Sequence, residues 1–510
     1  MKMSMFKLPC HPRPSVATAT RGEADPGVYR VRGFKELSLS NFLNRRSVTT
    51  WVPFPRRASR VSPGMTIGFL LIACAGTAIA QPAAKSLNLD LKSGSQPQIV
   101  RSDVPDTLIK HGHVYTVGAK GTFADADLLI AGGKVAEVAS NISASGAKLI
   151  DAHGKPVTPG LMVSWTDLGI TEVDLVAETN DSTPNQALDS AAFDVADAIN
   201  PHSSLIPVAR IRGVTRSLTA PVDCGDVFCG TAAVIDLGKG PDLVEKRQAG
   251  VLVELEPNGG TGQKNSRPDI WNKFRETLDD AREYWAQRSG YHRPGGSRDQ
   301  RSNRIDLDAL GPVIQGREPL LVHVNRASTI RQILQYTQAN KLKLVIMGGS
   351  EAWQVAGELA AAHVPVVIDN DYNLPSSFSD LGATLKGAAR LDAAGVLVAF
   401  QPQNDGPAHY ARTITQIAGN AVANGMKWDH ALAAITKIPA QIWGIGDSYG
   451  TLDPGKDADV VIWDGDPLDV TSAPTAVFIK GVPMPMASRQ TELRDRYKHL
   501  EKKNPPFPYR

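Results

Sequence analysis

From Leu108 the chain alternates apolar and polar positions in short runs, TLIKHGHVYTV, ADLLIAGGKVAEVAS and KLIDAHGKPVTPGLM, with turn residues between them. A period of two sends successive side chains to opposite faces, so these runs predict half-buried strands. Gly132-Gly133 between two such runs predicts a hairpin. The same style returns at the far end in GTLDPGKDADVVIWDGDPL and PTAVFIKGVPM. We therefore expect a composite β-sandwich built from both chain ends, residues 105–158 and 448–490, with a C-terminal tail at 491–510.

The middle, residues 159–447, follows another rule. Apolar runs such as VARIRGVTRSLTA, AAVIDL, GVLVELE, PLLVHVN, LKLVIMGG, VPVVID and GVLVAFQ read as buried strands. Between the later ones lie helical patterns, STIRQILQYTQAN and SEAWQVAGELAAAH. That rhythm belongs to a parallel sheet, and its length and repeat number predict a closed (β/α)8 TIM barrel. In DIWNKFRETLDDAREYWAQR, Trp271, Phe274, Leu278, Ala281 and Trp285 recur at steps of three and four, which predicts an amphipathic helix packed on the barrel. The polar, Arg-rich SGYHRPGGSRDQRSNR that follows reads as a solvated loop.

Composition changes this picture little. At 510 residues and 42% hydrophobic, the chain can bury one large α/β domain and a smaller one. Its 55 basic and 52 acidic residues are too balanced to call for nucleic acid as a partner. A small-molecule substrate or ligand is the expected partner.

The N-terminus reads as an address. Arg56 to Ser86 runs from basic through apolar to small residues, and Ala78-Ile79-Ala80 supplies a cleavage pattern, so residues 1–80 are expected to be a leader plus signal peptide, with a linker at 81–104. Met65 would start such a signal. The protein is then exported to the periplasm, or, if Leu71-Ile72-Ala73-Cys74 acts as a lipobox, is a lipoprotein through Cys74. The apolar run at 66–75 is short of the roughly 20 residues of a membrane span. Cys224 and Cys229 flank Gly225 in an exported chain and read either as a disulfide clasp or as two free thiols.

Three passages together resemble the amidohydrolase superfamily, in its imidazolonepropionase-like branch: DLLIAGGKVAEVAS with AKLIDAHGKPVTPGLM, PLLVHVNRASTIRQIL with LKLVIMGGSEAWQVAGELAAAHVPVVID, and ALAAITKIPAQIWGIGDSYGTLDPGKDADVVIWDGDPLD. The resemblance spans about residues 105–485. It implies a barrel whose strand ends hold one or two divalent metals, zinc, manganese or iron, activating water against a non-peptide C–N bond. The family's ligand positions are altered here. Its first-strand His-x-His falls on Trp165 and Asp167, its fifth-strand pair on His323 and Asn325, and its sixth-strand Glu-His on Met347-Gly348. The eighth-strand aspartate falls in AFQPQNDGPAH, with Asn404 or Asp405 as candidates.

Three readings stay open. Asp167, His323 and Asp405 hold a rearranged metal site, with His323 and Asp405 catalytic; or His323 and Asp167 are structural and no metal binds; or His323 or His409 serves as base in a metal-free hydrolase. Trp165, Asn325, Gly348, Asn404 and His409 are the expected pocket residues. The alternative to an enzyme is a non-catalytic binding protein, or the partner subunit of an intact paralogue, as a homo- or hetero-oligomer.

Overall fold

The computed structural model describes residues 105–184, 190–222, 226–257, 266–286, 302–369, 374–375, 377–402 and 407–498. The expected signal segment and linker, Cys74, Cys224, Asn404, Asp405 and most of the Arg-rich stretch lie outside the described residues. Cys229 is disulfide-bonded.

Both chain ends enter one eight-stranded sheet. Strands β1 (Thr107–Tyr115), β2 (Thr122–Ala131), β3 (Lys134–Ala139), β4 (Lys148–Asp151) and β5 (Pro156–Pro159) come from the first end, and β14 (Val460–Trp463), β15 (Pro474–Ile479) and β16 (Val482–Pro483) from the second. The order is β16-β15-β14-β5-β1-β2-β3, with β4 beside the first half of β1. The seam is the antiparallel pairing of β5 with β14, Val157 opposite Ile462 and Pro159 opposite Val460. Ile109, Val114, Leu128, Val157, Val460 and Phe478 share its core.

The middle forms a nearly closed eight-stranded barrel: β6 (Leu161–Thr166), β7 (Val214–Thr219), β8 (Phe228–Asp236), β9 (Val244–Glu254), β10 (Pro319–Val324), β11 (Lys343–Gly348), β12 (Val366–Ile368) and β13 (Val398–Phe400), paired in sequence order. One strand breaks the expected parallel pattern: β8 runs antiparallel to both β7 and β9. The cause is connection length. Residues 220–227 and 237–243 are too few for a crossover, which takes roughly a dozen residues, so the chain turns back as hairpins. The first half of VARIRGVTRSLTA also differs from expectation, being helical over Leu205–Arg210 before β7 begins. The amphipathic helix spans Arg267–Ala286, with Trp271, Phe274, Leu278 and Ala281 buried. Helix Ala327–Ala339 and the turns through Ala356–Ala361 cover β10 to β12 as expected.

Side chains fill the barrel. Met162, Trp165, Leu218, Leu252, Leu321 and Met347 belong to one interior cluster, which makes it a packed core with chemistry confined to its ends.

Candidate functional site at the barrel mouth

In this fold, reactive groups sit where parallel strands end. His323 is the next-to-last residue of β10, and its side chain is 11% exposed. Its Nδ1 lies 2.8 Å from Oε2 of Glu254, the last residue of β9. The two strands pair in register with His323 opposite Glu254, so the barrel's own hydrogen bonding delivers the contact. With the carboxylate on Nδ1, that nitrogen carries the proton and Nε2 points away from the glutamate. Oε1 of Glu254 accepts from the Glu256 N–H at 2.7 Å, which fixes the carboxylate from its other side.

Position 348 explains where Nε2 goes. Gly348 ends β11 with φ +79, and a Cβ there would lie 2.8 Å from Asn325 Oδ1 and 3.0 Å from His323 Nε2. The imidazole and the amide occupy the space that a side chain at position 348 would need. Asn325 is held by Ser350, whose backbone N–H and hydroxyl donate to its Oδ1 at 3.2 and 3.1 Å. Glu256 accepts from the Asn325 N–H at 2.7 Å and from Arg267 at 3.2 Å, and Arg267 donates on to Ser379 at 2.7 Å. These bonds tie the exit of β10 to the helix Arg267–Ala286 and to the loop after β12.

Trp165, which replaces a first-strand histidine, is 1% exposed. Its indole N–H donates to Pro221 O at 3.1 Å, and its ring meets that of His323 edge-on at 5.4 Å. Met347 is fully buried in the same interior cluster. Two of the positions that the resemblance assigns to metal ligands are therefore packed among apolar side chains.

Asp167 follows β6 and is 4% exposed. Its carboxylate accepts from the Ala408 N–H at the start of the turn Ala408–Thr413. Burial pushes its pKa above the ordinary carboxylate range, against the lowering by hydrogen bonds from the Thr171 hydroxyl and Ala408. In this arrangement it pins the loop that follows β13. The His409 ring lies 4.1 Å from that of Tyr410, tilted by 43°, and pairs with Asp174 at 3.6 Å, His409 and Asp174 both exposed.

The structure therefore brings Trp165, His323, Asn325 and Gly348 together, and engages Asp167 and His409 elsewhere. Among the described residues no group of three or more His, Cys, Asp or Glu side chains is arranged to hold a metal ion. Of the positions that the resemblance assigns to metal ligands, the described ones carry an indole at Trp165, a carboxylate at Asp167, an imidazole at His323, an amide at Asn325, a thioether at Met347 and no side chain at Gly348, where such a centre takes at least three good ligands. Glu254, Glu256 and Ser350 escaped the sequence reading. The signal for the first two was present: two carboxylates two residues apart at the end of an apolar run, at a strand end.

Residues 403–487 match the Amidohydrolase family. An amidohydrolase of Hapsidospora irregularis, tasK, is 24% identical over 395 residues, covering 70% of this chain and 39% of that protein. A dihydroorotase of Bacillus cytotoxicus is 44% identical over 55 residues, covering 11% of this chain and 12% of its own length. The chain thus spans well under half of either relative. The crystal structure of an amidohydrolase from Thermotoga maritima superposes with a TM-score of 0.66 at 25% identity, covering 74% of this chain and 99% of that one. The family match at the closing strands and the fold shared with the Thermotoga maritima amidohydrolase are consistent with the amidohydrolase superfamily.

Proposed function

We propose that the chain is an amidohydrolase-type hydrolase of non-peptide C–N bonds with an altered metal site, its chemistry centred on His323. The observation that carries this reading is the Glu254–His323 contact of 2.8 Å at adjacent strand ends. A carboxylate on Nδ1 holds one tautomer and stabilises the imidazolium that forms when Nε2 takes a proton. His323 then takes the proton of an attacking water and returns it to the leaving nitrogen. Asn325, with Oδ1 engaged by Ser350, keeps its amide N–H groups as donors for a substrate carbonyl. The periplasm is the proposed compartment, on the strength of the signal-like segment ending near Ala80.

A second reading is a non-catalytic partner of an intact amidohydrolase. The burial of Trp165 at a ligand position favours it. So does the length of the Hapsidospora irregularis relative, more than half of which lies outside the match and leaves room for another barrel.

The test is metal content and hydrolysis of a panel of amides and cyclic ureides by wild type, His323→Ala and Glu254→Gln, with and without chelator. The expected result is turnover that survives chelation and falls about 10²- to 10⁴-fold in His323→Ala. About one metal per chain, lost in His323→Ala together with activity, would return the assignment to a rearranged site of Asp167, His323 and Asp405. Folded protein without turnover on any member of the panel would favour the partner reading.

A further inference from the structure

At the opposite end of the barrel, a cleft of about 400 Å³ opens where the start of β13 and the helices after it meet the β1–β2 turn. Small-molecule pockets span roughly 300 to 1,000 Å³. Its floor is apolar, made by Val396, Val398, Met426 and Leu432. Its wall is aromatic: the rings of Tyr115 and Trp428 lie 4.6 Å apart, tilted by 41°. Neither ring is loose. The Trp428 N–H donates to Asp466 at 3.0 and 3.1 Å, and His113 stacks behind Tyr115 at 4.6 Å and 18°. At Gly121, also on the lining, a Cβ would meet nothing within 4 Å, which keeps that side of the cleft open.

The polar groups are few. His430 is oriented through Nδ1 by both oxygens of Asp392, at 2.8 and 2.9 Å. Lys437 is half-buried in the lining and makes no ion pair or side-chain hydrogen bond among the described residues. Asp429 stands at the exposed rim. An ammonium with no carboxylate in ion-pair range offers a bound anion a charge-assisted hydrogen bond.

We propose that this cleft is a second binding site, remote from the mouth, for a small planar aromatic molecule carrying one negative charge. Its ring packs against Tyr115 and Trp428, and its anionic group meets Lys437. Rings fixed in advance lose little freedom on binding, which favours a flat ligand over a flexible chain.

The probe is 1-anilinonaphthalene-8-sulfonate, a singly charged anion with a flat naphthalene ring, titrated into native protein. Saturable 1:1 fluorescence enhancement is expected, displaced by benzoate and unaffected by benzamidine. Lys437→Ala and Thr122→Trp, which remove the charge and block the rim from two different elements, should each weaken binding about tenfold or more. His323→Ala at the mouth should leave it unchanged, with circular dichroism verifying the fold of every variant. Wild-type affinity in both cleft variants, loss in His323→Ala, or displacement by benzamidine as well as by benzoate would each overturn the proposal.

Discussion

Trp165 near the mouth of the barrel and Arg216 near its floor are both 1% exposed, and they are held by opposite means. Around Trp165 lie an imidazole edge, Met347 and one hydrogen bond to Pro221 O. Around Arg216 lies a buried network joining the barrel to the composite sheet. Its guanidinium reaches Asp459 at 2.6 Å, Asp457 at 3.4 Å and Glu245 at 3.7 Å, and Lys480 pairs with Asp236 at 2.9 Å and with Glu245. Tyr449 closes the same end, its ring 5.0 Å from the guanidinium and its hydroxyl donating to Gly160 O at 2.6 Å. The floor spends its charges on joining two parts of one chain, while the mouth surrounds Trp165 with packing and keeps its polar contacts at His323, Glu254 and Glu256. A reactive site keeps its polar groups at the mouth, so the contrast bears directly on function.

Removing the cation at the floor should have the largest effect. Arg216→Met would leave Asp459 buried without its cation, while Asp457 keeps Lys134 at 2.6 Å, and an uncompensated buried carboxylate costs about 3–5 kcal/mol. Urea denaturation should show a midpoint lowered accordingly. A loss below about 1 kcal/mol, the size expected of an exposed pair, would break the comparison by showing that the network contributes little to the joint.

A smaller effect is expected at Gly348. Gly348→Ala adds a methyl group at φ +79, 2.8 Å from Asn325 Oδ1, and should cost about 1–3 kcal/mol through backbone strain and crowding. Equilibrium unfolding reads the stability, and the imidazole NMR signals of His323 should shift as the ring moves aside. An unchanged midpoint with unchanged His323 signals would mean that the mouth has room to spare and that a histidine could be restored there.

The alternating runs that became β1 to β3 and the helix Arg267–Ala286 were legible because one face of each is buried and the other solvated. The direction of β8 was not. All nine of its residues are buried, so AAVIDL carries no alternation, and only the short gaps at 220–227 and 237–243 betrayed the hairpins. Pro207 in LIPVAR, a residue tolerated in the first turn of a helix, marked the helical segment that an apolar run disguised as strand. At the site, the resemblance pointed to His323 and Gly348 because their positions follow strand ends. Glu254 stayed hidden because a carboxylate after an apolar strand reads equally as the place where the chain meets solvent. Only the register of β9 against β10 converts it into the partner of His323.

The finest expected difference lies between two buried carboxylates, Asp167 at the mouth and Asp236 at the floor. Burial raises the pKa of both, and at Asp236 this is overcome by Arg216, the hydrogen bond with Glu245 and Lys480, which bring it down to about 2. Its folded value lies below the ordinary 3.8, so its contribution is present above about pH 4 and is lost as pH falls toward 2. At Asp167 burial prevails over the Thr171 and Ala408 hydrogen bonds and the folded value is raised. Its contribution therefore runs the other way, largest at acid pH and lost as pH rises from the ordinary value through the raised one. Asp236→Asn should destabilise at neutral pH by about 1–2 kcal/mol, with the deficit shrinking below pH 4. Asp167→Asn keeps an acceptor for the Ala408 N–H and sheds the buried charge, so it should be neutral to stabilising near pH 7 and lose that advantage on acidification. Unfolding midpoints of the two variants and wild type from pH 3 to 7 should give difference curves of opposite slope. Curves of the same slope would mean that the two ends of the barrel treat buried charge alike.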